Sequence, residues 1–330
     1  MNRHALALLL LVLLLPTVSV QAATSCTAQG NDLDFGKVVL AGVADTSGTI
    51  TVNCSSTALA LAGTTRVRMC LNIGTGSTGA NPRTMQNAQG DSMRFDLYQD
   101  AARTVAWGDS SSGGSSLNLD LQYSVPLIGG NGSISATLYG RVPAQYGLAE
   151  GTFSSNFSGA HTRLDYRYAE AMLLTPPYPS SCLSGGTGGG SVTFPFTSTA
   201  SVDPNCQITT VNNLQFSAQS GLIDSASDTS TTIGILCTGR TAWNVGLDNG
   251  NHVGTSNRRM RQSTADVFVD YDLYRDAARS QVWGNTIGSN TSAGSGTGNV
   301  QSLTIYGRVL APQSVPAGSY SDTITITLTY

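Results

Sequence analysis

Tyr320-Ser-Asp-Thr-Ile-Thr-Ile-Thr-Leu-Thr-Tyr330 alternates without a break. Tyr320, Asp322, Ile324, Ile326, Leu328 and Tyr330 share one parity, and Ser321 and four threonines take the other. Successive side chains of a strand point to opposite faces, so the stretch predicts one strand with an apolar face and a threonine face. The chain stops where the strand stops. A long apolar edge invites pairing unless something covers it. Ile324, Ile326, Leu328 and Tyr330 are therefore expected to border a gap that a segment of another polypeptide fills by strand addition. An ordinary tolerated edge strand is the bland alternative.

The rest of the chain reads the same way. Gly, Ser and Thr are abundant, only 11% of residues are charged, and lysine occurs once, at Lys37. Turn residues recur every ten or so positions and helical spacing is rare, which predicts an all-β protein. A net charge of −3 argues against nucleic acid as a partner. Residues 1–22 read as a secretion signal: Arg3, an apolar run from Ala5 to Leu15 too short to span a bilayer, then Pro16 and small residues before Ala23. Export makes disulfides the natural use of six cysteines. Cys26 with Cys54 and Cys206 with Cys237 have similar spacings, and Cys70 with Cys182 remains. Loops of about thirty residues would each contribute roughly 3–4 kcal/mol. A metal site is the weaker reading, because no cysteine has a close Cys or His companion.

The strongest signal is an internal repeat. Phe95-Asp-Leu-Tyr-Gln-Asp-Ala-Ala-Arg-Thr-Val-Ala-Trp107-Gly108 matches Tyr271-Asp-Leu-Tyr-Arg-Asp-Ala-Ala-Arg-Ser-Gln-Val-Trp283-Gly284. Leu138 to Val142 matches Ile305 to Val309, Gly151 to Ser154 matches Gly318 to Ser321, and Leu71 to Gly74 matches Leu247 to Gly250. Two domains are expected, 23–175 and 203–330. Between them, 176–202 begins Pro-Pro-Tyr-Pro and continues in Gly and Ser, a linker composition. Within it, 192–197 alternates like a short strand, with Pro195 confining it to an edge or insertion role. It is expected to fill the open edge of the first domain; packing as a plain hydrophobic linker is the alternative.

These motifs resemble the spore coat protein U domain family, subunits of archaic (Csu-type) chaperone–usher pili. The matching features are the early cysteine pair, Leu-Asp-Phe-Gly at 33–36, Arg-Thr-Met at 83–85 and Arg-Arg-Met at 258–260. The Asp-Leu-Tyr…Trp-Gly and Tyr-Gly-Arg-Val blocks and the terminal strand complete the set. The resemblance implies two immunoglobulin-like β-sandwiches in tandem, the C-terminal one lacking its last strand. It implies a periplasmic chaperone, an outer-membrane usher and the donor strand of an adjacent pilin as partners. Ordinary subunits carry a donor segment before the first cysteine, whereas only Ala23, Thr24 and Ser25 stand there after the expected cleavage. A subunit that accepts without donating belongs at a fibre's end, so a secreted, cell-surface tip adhesin is expected.

Comparison of the copies locates what the first has in addition. Cys54 to Leu71 spans 17 positions and Cys237 to Leu247 spans 10; Trp107 to Tyr139 spans 32 and Trp283 to Tyr306 spans 23. The additions hold Leu59 and Leu61, then Val125, Pro126, Leu127 and Ile128, and a third loop offers Tyr146 and Leu148. Apolar side chains at loop tips mark contact sites. Attachment to an abiotic or host surface and biofilm formation are the expected role; inward-folded strand extensions are the alternative. A sugar-binding tip using Trp107, Tyr98 and Tyr123, and a structural pilin without adhesive role, are the competing functions. No cofactor and no metal are expected. His161 and His252 lie in no catalytic motif, and the matched Asp96 and Asp272 suggest architecture rather than acid–base work.

Overall fold

Apolar side chains alternate with Ser, Thr and Asn through most of the chain, and strands form accordingly. The computed structural model describes residues 23–57, 61–109, 112–219, 221–255 and 257–330. The signal reading, 1–22, and Leu59 lie outside them. Among the described residues there is no α-helix; a 3-10 turn at Gly159–His161 is the exception to an all-β architecture.

Three sheets belong to the first copy. One is ordered Thr24–Gly30, Ala44–Ser56, Gly130–Val142, Asp96–Tyr98. A second runs Gly188–Thr193, Thr162–Met172, Gly63–Ile73, Leu117–Val125. Their inward rows meet in one core that includes Ile50, Val52, Val67, Met69, Leu71, Leu121 and Leu138. The third sheet is ordered Leu33–Lys37, Phe196–Val202, Gly151–Phe157, Thr84–Gln86, Ser92–Arg94. Its second strand comes from the stretch between the copies. Phe196, Ser198, Ala200 and Val202 face inward, parallel to Leu33–Lys37 and antiparallel to Gly151–Phe157.

The second copy repeats this plan with a separate core around Ile233, Ile235, Val245, Leu247, Tyr271 and Trp283. Cys206–Val211, Ser227–Cys237, Val300–Val309, Phe268–Tyr274, Arg258–Gln262 and Tyr320–Ser321 make one sheet, and Ile326–Thr329 joins another through Ala242–Leu247. The disulfides are Cys26–Cys54, Cys70–Cys182 and Cys206–Cys237.

The motif residues explain the repeat. Buried Arg83 donates to the carbonyls of Gly74, Ile73 and Trp107, and Arg258 donates to those of Asp248, Leu247 and Trp283. Trp107 Nε1 donates to Leu71 O at 3.0 Å and Trp283 Nε1 to Val245 O at 2.8 Å. A buried carbonyl without a donor is costly, so these side chains serve backbone carbonyls at matching places in the two copies.

Two expectations are corrected. Tyr320 to Tyr330 is two short strands in different sheets, not one. The chain passes from one sheet to the other between them, where Asn251 N–H and the Tyr271 hydroxyl donate to the Asp322 carboxylate and Thr325 N–H donates to Asp248. The pairing stretch between the copies is 196–202 rather than 192–197. Residues 188–193 already pair with Thr162–Met172, and the chain changes sheets at Phe194 and Pro195.

Candidate functional site

Gly63 pairs with Val125 on one side and with Met172 on the other. The chain entering Gly63 and the chain leaving Val125 and Met172 therefore meet at one end of the first copy. Three apolar stretches lie there: Leu61 with Ala62, the turn Pro126–Gly129, and Met172-Leu173-Leu174. Leu61, Pro126, Leu127 and Met172 are exposed; Ile128 is 94% exposed, Leu173 75% and Leu174 73%. The turn is closed by Gly129 N–H on Pro126 O. Gly130 is required beside it, since a Cβ there would meet Ser124 O at 2.2 Å. Leu173 N–H donates to Ala62 O at 3.0 Å, tying two of the segments together. Leu173 adopts a φ of 62°, a conformation that a leucine holds only when its surroundings impose it.

Beneath these tips lies a polar layer. The Tyr123 hydroxyl lies 2.8 Å from Ser56 Oγ, which lies 3.1 Å from Thr65 Oγ1. Thr24 and Thr65 donate to the Glu170 carboxylate. Burial pushes the Tyr123 phenol up from its ordinary range. Hydrogen-bonded polar groups of this kind fix one arrangement of the strands that carry the loops.

The expected surface residues do not all meet here. Val125 is wholly buried, because it continues the inward row of Leu121 and Tyr123. Leu148 is buried as well. Tyr146 is exposed but sits past Val142, at the far end of a strand whose other end is Gly130, about 40 Å away for 12 residues. That loop meets the second copy: Gly147 N–H donates to Gly298 O and Glu150 N–H to Gly239 O; nearby, Asp91 of the turn before Ser92 pairs with Arg240. Met172, Leu173 and Leu174 were not expected, although three apolar residues one position short of a Pro-rich segment are a readable signal.

Trp107 and Tyr123 are buried and give no platform for a sugar. Asp96 lies 3.5 Å from Arg83, and Asp272 lies 3.8 Å from Arg258, in matching structural roles. Burial raises both carboxyls above their usual range, and the arginines oppose it. Among the described residues no group of three His, Cys, Asp or Glu side chains could hold a metal ion.

A second feature lies in the second copy. Gly318 to Ile324 corresponds to Gly151 to Phe157, since Ser321 pairs with Arg261 as Ser154 pairs with Gln86. Leu214 and Phe216 correspond to Leu33 and Phe35. A Cβ on Gly307 would strike Leu214 and Phe216, as one on Gly140 would strike Phe35. Phe216 meets Tyr271 edge-on at 6.1 Å, as Phe35 meets Phe95 at 5.9 Å. In the first copy Phe196–Val202 lies between these two edges. In the second copy the edges border two adjoining hollows of about 480 and 500 Å³, both reaching Leu214, Phe216, Met260 and Tyr320. Of the expected edge residues, Ile324 and Ile326 line this groove. Leu328 packs against the second core, and Tyr330 is exposed with its hydroxyl 3.4 Å from Asn205.

The chain matches the Spore Coat Protein U domain over residues 13–158 and 192–327. It is 38% identical to Protein U of Myxococcus xanthus over 73 residues, 22% of this chain. The match spans about 40% of that relative's length. Among solved structures it is similar to the CsuC–CsuE chaperone–tip adhesion subunit pre-assembly complex from archaic chaperone–usher Csu pili of Acinetobacter baumannii. The TM-score is 0.46 at 17% identity, covering 93% of this chain and 100% of that one. The CupB6 tip adhesin of Pseudomonas aeruginosa is more distant, with TM-score 0.31 and 9% identity, covering 94% and 95%.

Proposed function

The chain belongs to the Spore Coat Protein U domain family, and from that premise we propose that it is the tip subunit of a chaperone–usher pilus. It reaches the cell surface through the periplasm, held first by a pilus chaperone and handed to an outer-membrane usher. In this reading 23–175 is the adhesive domain and 203–330 the domain that joins the rod, with 176–202 connecting them. The apolar segments at Leu61, Pro126–Ile128 and Met172–Leu174 are the contact surface for solid, apolar substrates. Each Leu or Ile fully buried on contact would contribute about 1.5–3 kcal/mol. Many pili engaging at once would multiply that by avidity and support biofilm formation.

The observation that carries the reading is the contrast between two matched grooves. One holds strand Phe196–Val202 of the same chain, and the other borders the hollows beside Leu214 and Tyr320. The second is the acceptor for the donor strand of an adjacent subunit, the sense in which this sandwich is incomplete. The test is attachment of piliated cells to polystyrene. Serine at Leu127, Ile128, Leu173 and Leu174 together should abolish attachment while pili still assemble. Undiminished attachment by such pili would overturn the adhesive role.

A further inference from the structure

The two grooves differ at one matched pair of positions. In the first copy Ser155 faces Ser198 of the inserted strand, and Phe95 meets the next inward residue, Phe157, edge-on. The hydroxyls of Ser155 and Ser198 are buried and have no hydrogen-bond partner. In the second copy the position of Ser155 is Asp322 and the position of Phe95 is Tyr271. The Tyr271 hydroxyl donates to Asp322 Oδ2 at 2.8 Å, and Asn251 N–H donates to Oδ1 at 3.0 Å. Gly250 is required for this approach: its φ is 77°, and a Cβ would meet Oδ2 at 2.0 Å. A carboxylate is thus fixed on the groove wall between Tyr320 and Ile324, with Leu214 opposite.

The filled groove supplies the register. Phe196 faces Phe157, Ser198 faces Ser155, Ala200 faces Phe153 and Val202 faces Gly151. Ser198 also pairs across to Leu33. Transferred to the second copy, an inserted strand runs parallel to 214–218 and antiparallel to 318–324. Its four inward residues face Ile324, Asp322, Tyr320 and Gly318 in turn. Same-face residues directly opposite each other have Cβ atoms about 4.5–5.5 Å apart. The second inward residue therefore lies on the carboxylate.

We infer that Asp322, held by Tyr271, is the specificity determinant of this groove: it admits a strand whose second inward residue is a small hydroxyl donor and rejects one that is apolar or acidic there. A large apolar side chain would strip water from the carboxylate and return no hydrogen bond. An acidic one would set two like charges together. Serine or threonine would donate to the free lone pairs of Asp322 and leave the Tyr271 bond in place. Discrimination of this kind works through the penalty on the wrong partner as much as through affinity for the right one. The inference rests on the acceptor reading of the groove.

The probe is a synthetic peptide with this chain's own 194–204 sequence, Phe-Pro-Phe-Thr-Ser-Thr-Ala-Ser-Val-Asp-Pro, titrated against the full chain after export. Three versions are compared: unchanged, with Ser198→Leu, and with Ser198→Asp. The unchanged peptide should bind about tenfold or more tighter than either variant. Asp322→Ser with Tyr271→Phe, which copies the pair in the first groove, should remove the preference against leucine. Equal binding of all three peptides to the wild-type chain would overturn the role of Asp322 and leave the acceptor groove standing. Binding by none would overturn the groove and this inference together. The three-peptide comparison needs no variant of the protein, so it decides the matter even if the double variant does not fold.

Discussion

The rings of Phe157 and Phe196 stack face to face, 4.6 Å between centroids and 9° from parallel. One ring belongs to the repeat and the other to the stretch between the repeats. Phe95 meets Phe157 edge-on at 6.2 Å and Phe35 meets Phe95 at 5.9 Å. The inserted strand therefore completes a continuous aromatic row. Phe196→Ala should lower the stability of the first copy by about 3–5 kcal/mol, the usual cost of removing a buried phenylalanine. Denaturant unfolding of the exported protein measures it, and a loss near zero would mean the strand is not held by this stack.

Arg258→Met should cost about 3–5 kcal/mol. It leaves the carbonyls of Leu247, Asp248 and Trp283 without their donor and Asp272 without its nearby charge. Arg83→Met should do the same in the first copy, through Gly74, Ile73 and Trp107. Two unfolding transitions, each shifted by one variant alone, would confirm that the copies carry separate cores.

Much of this was legible in the residues, for stated physical reasons. The repeat, the alternation and the cysteine spacing all follow from periodicities that a strand imposes. The break at Asp322 was not legible, because a carboxylate at the inward parity looks like any other member of the row until Tyr271 and Asn251 close on it. Val125 was readable and misplaced: it shares the parity of Leu121 and Tyr123, which are buried. Leu148 was hidden because it lies in a loop with no strand alternation to mark it, yet its side chain joins the first copy's core. Met172–Leu174 escaped comparison of the copies, since it lies past the last matched block, Gly151 to Ser154. The shift from 192–197 to 196–202 has a similar origin. Ser198 and Ala200 face inward, and small residues on a buried row do not read as core.

The Cys70–Cys182 disulfide closes a loop of 112 residues. Chain entropy gives such a crosslink about 4–5 kcal/mol. Replacing both cysteines by serine should lower the first copy's unfolding midpoint by that order. The second copy's transition should not move, which differential scanning calorimetry would resolve.

Asp228 is held below the usual carboxylate range, first by its hydrogen bond from Arg308 and then by the charges of Arg279 and Arg308. Its folded-state pKa lies under its unfolded value, so its contribution is present at neutral pH and is lost as pH falls through the lowered value. The stability difference between wild type and Asp228→Asn should therefore be visible at pH 7 and shrink toward zero below the ordinary carboxylate value of 3.8. The carboxylate is partly exposed, so the difference at neutral pH should be small and weaken with salt. A difference that grew on acidification would contradict the sign.

The central claim is that one groove is closed by its own chain and its counterpart waits for another. Amide hydrogen exchange on the exported protein compares them directly. The account predicts slow exchange at 33–37 and 151–157, faster exchange at 214–218 and 318–324, and slowing of the latter pair alone when the 194–204 peptide is added. Equal protection of both pairs of edges in the isolated protein, unchanged by peptide, would contradict it.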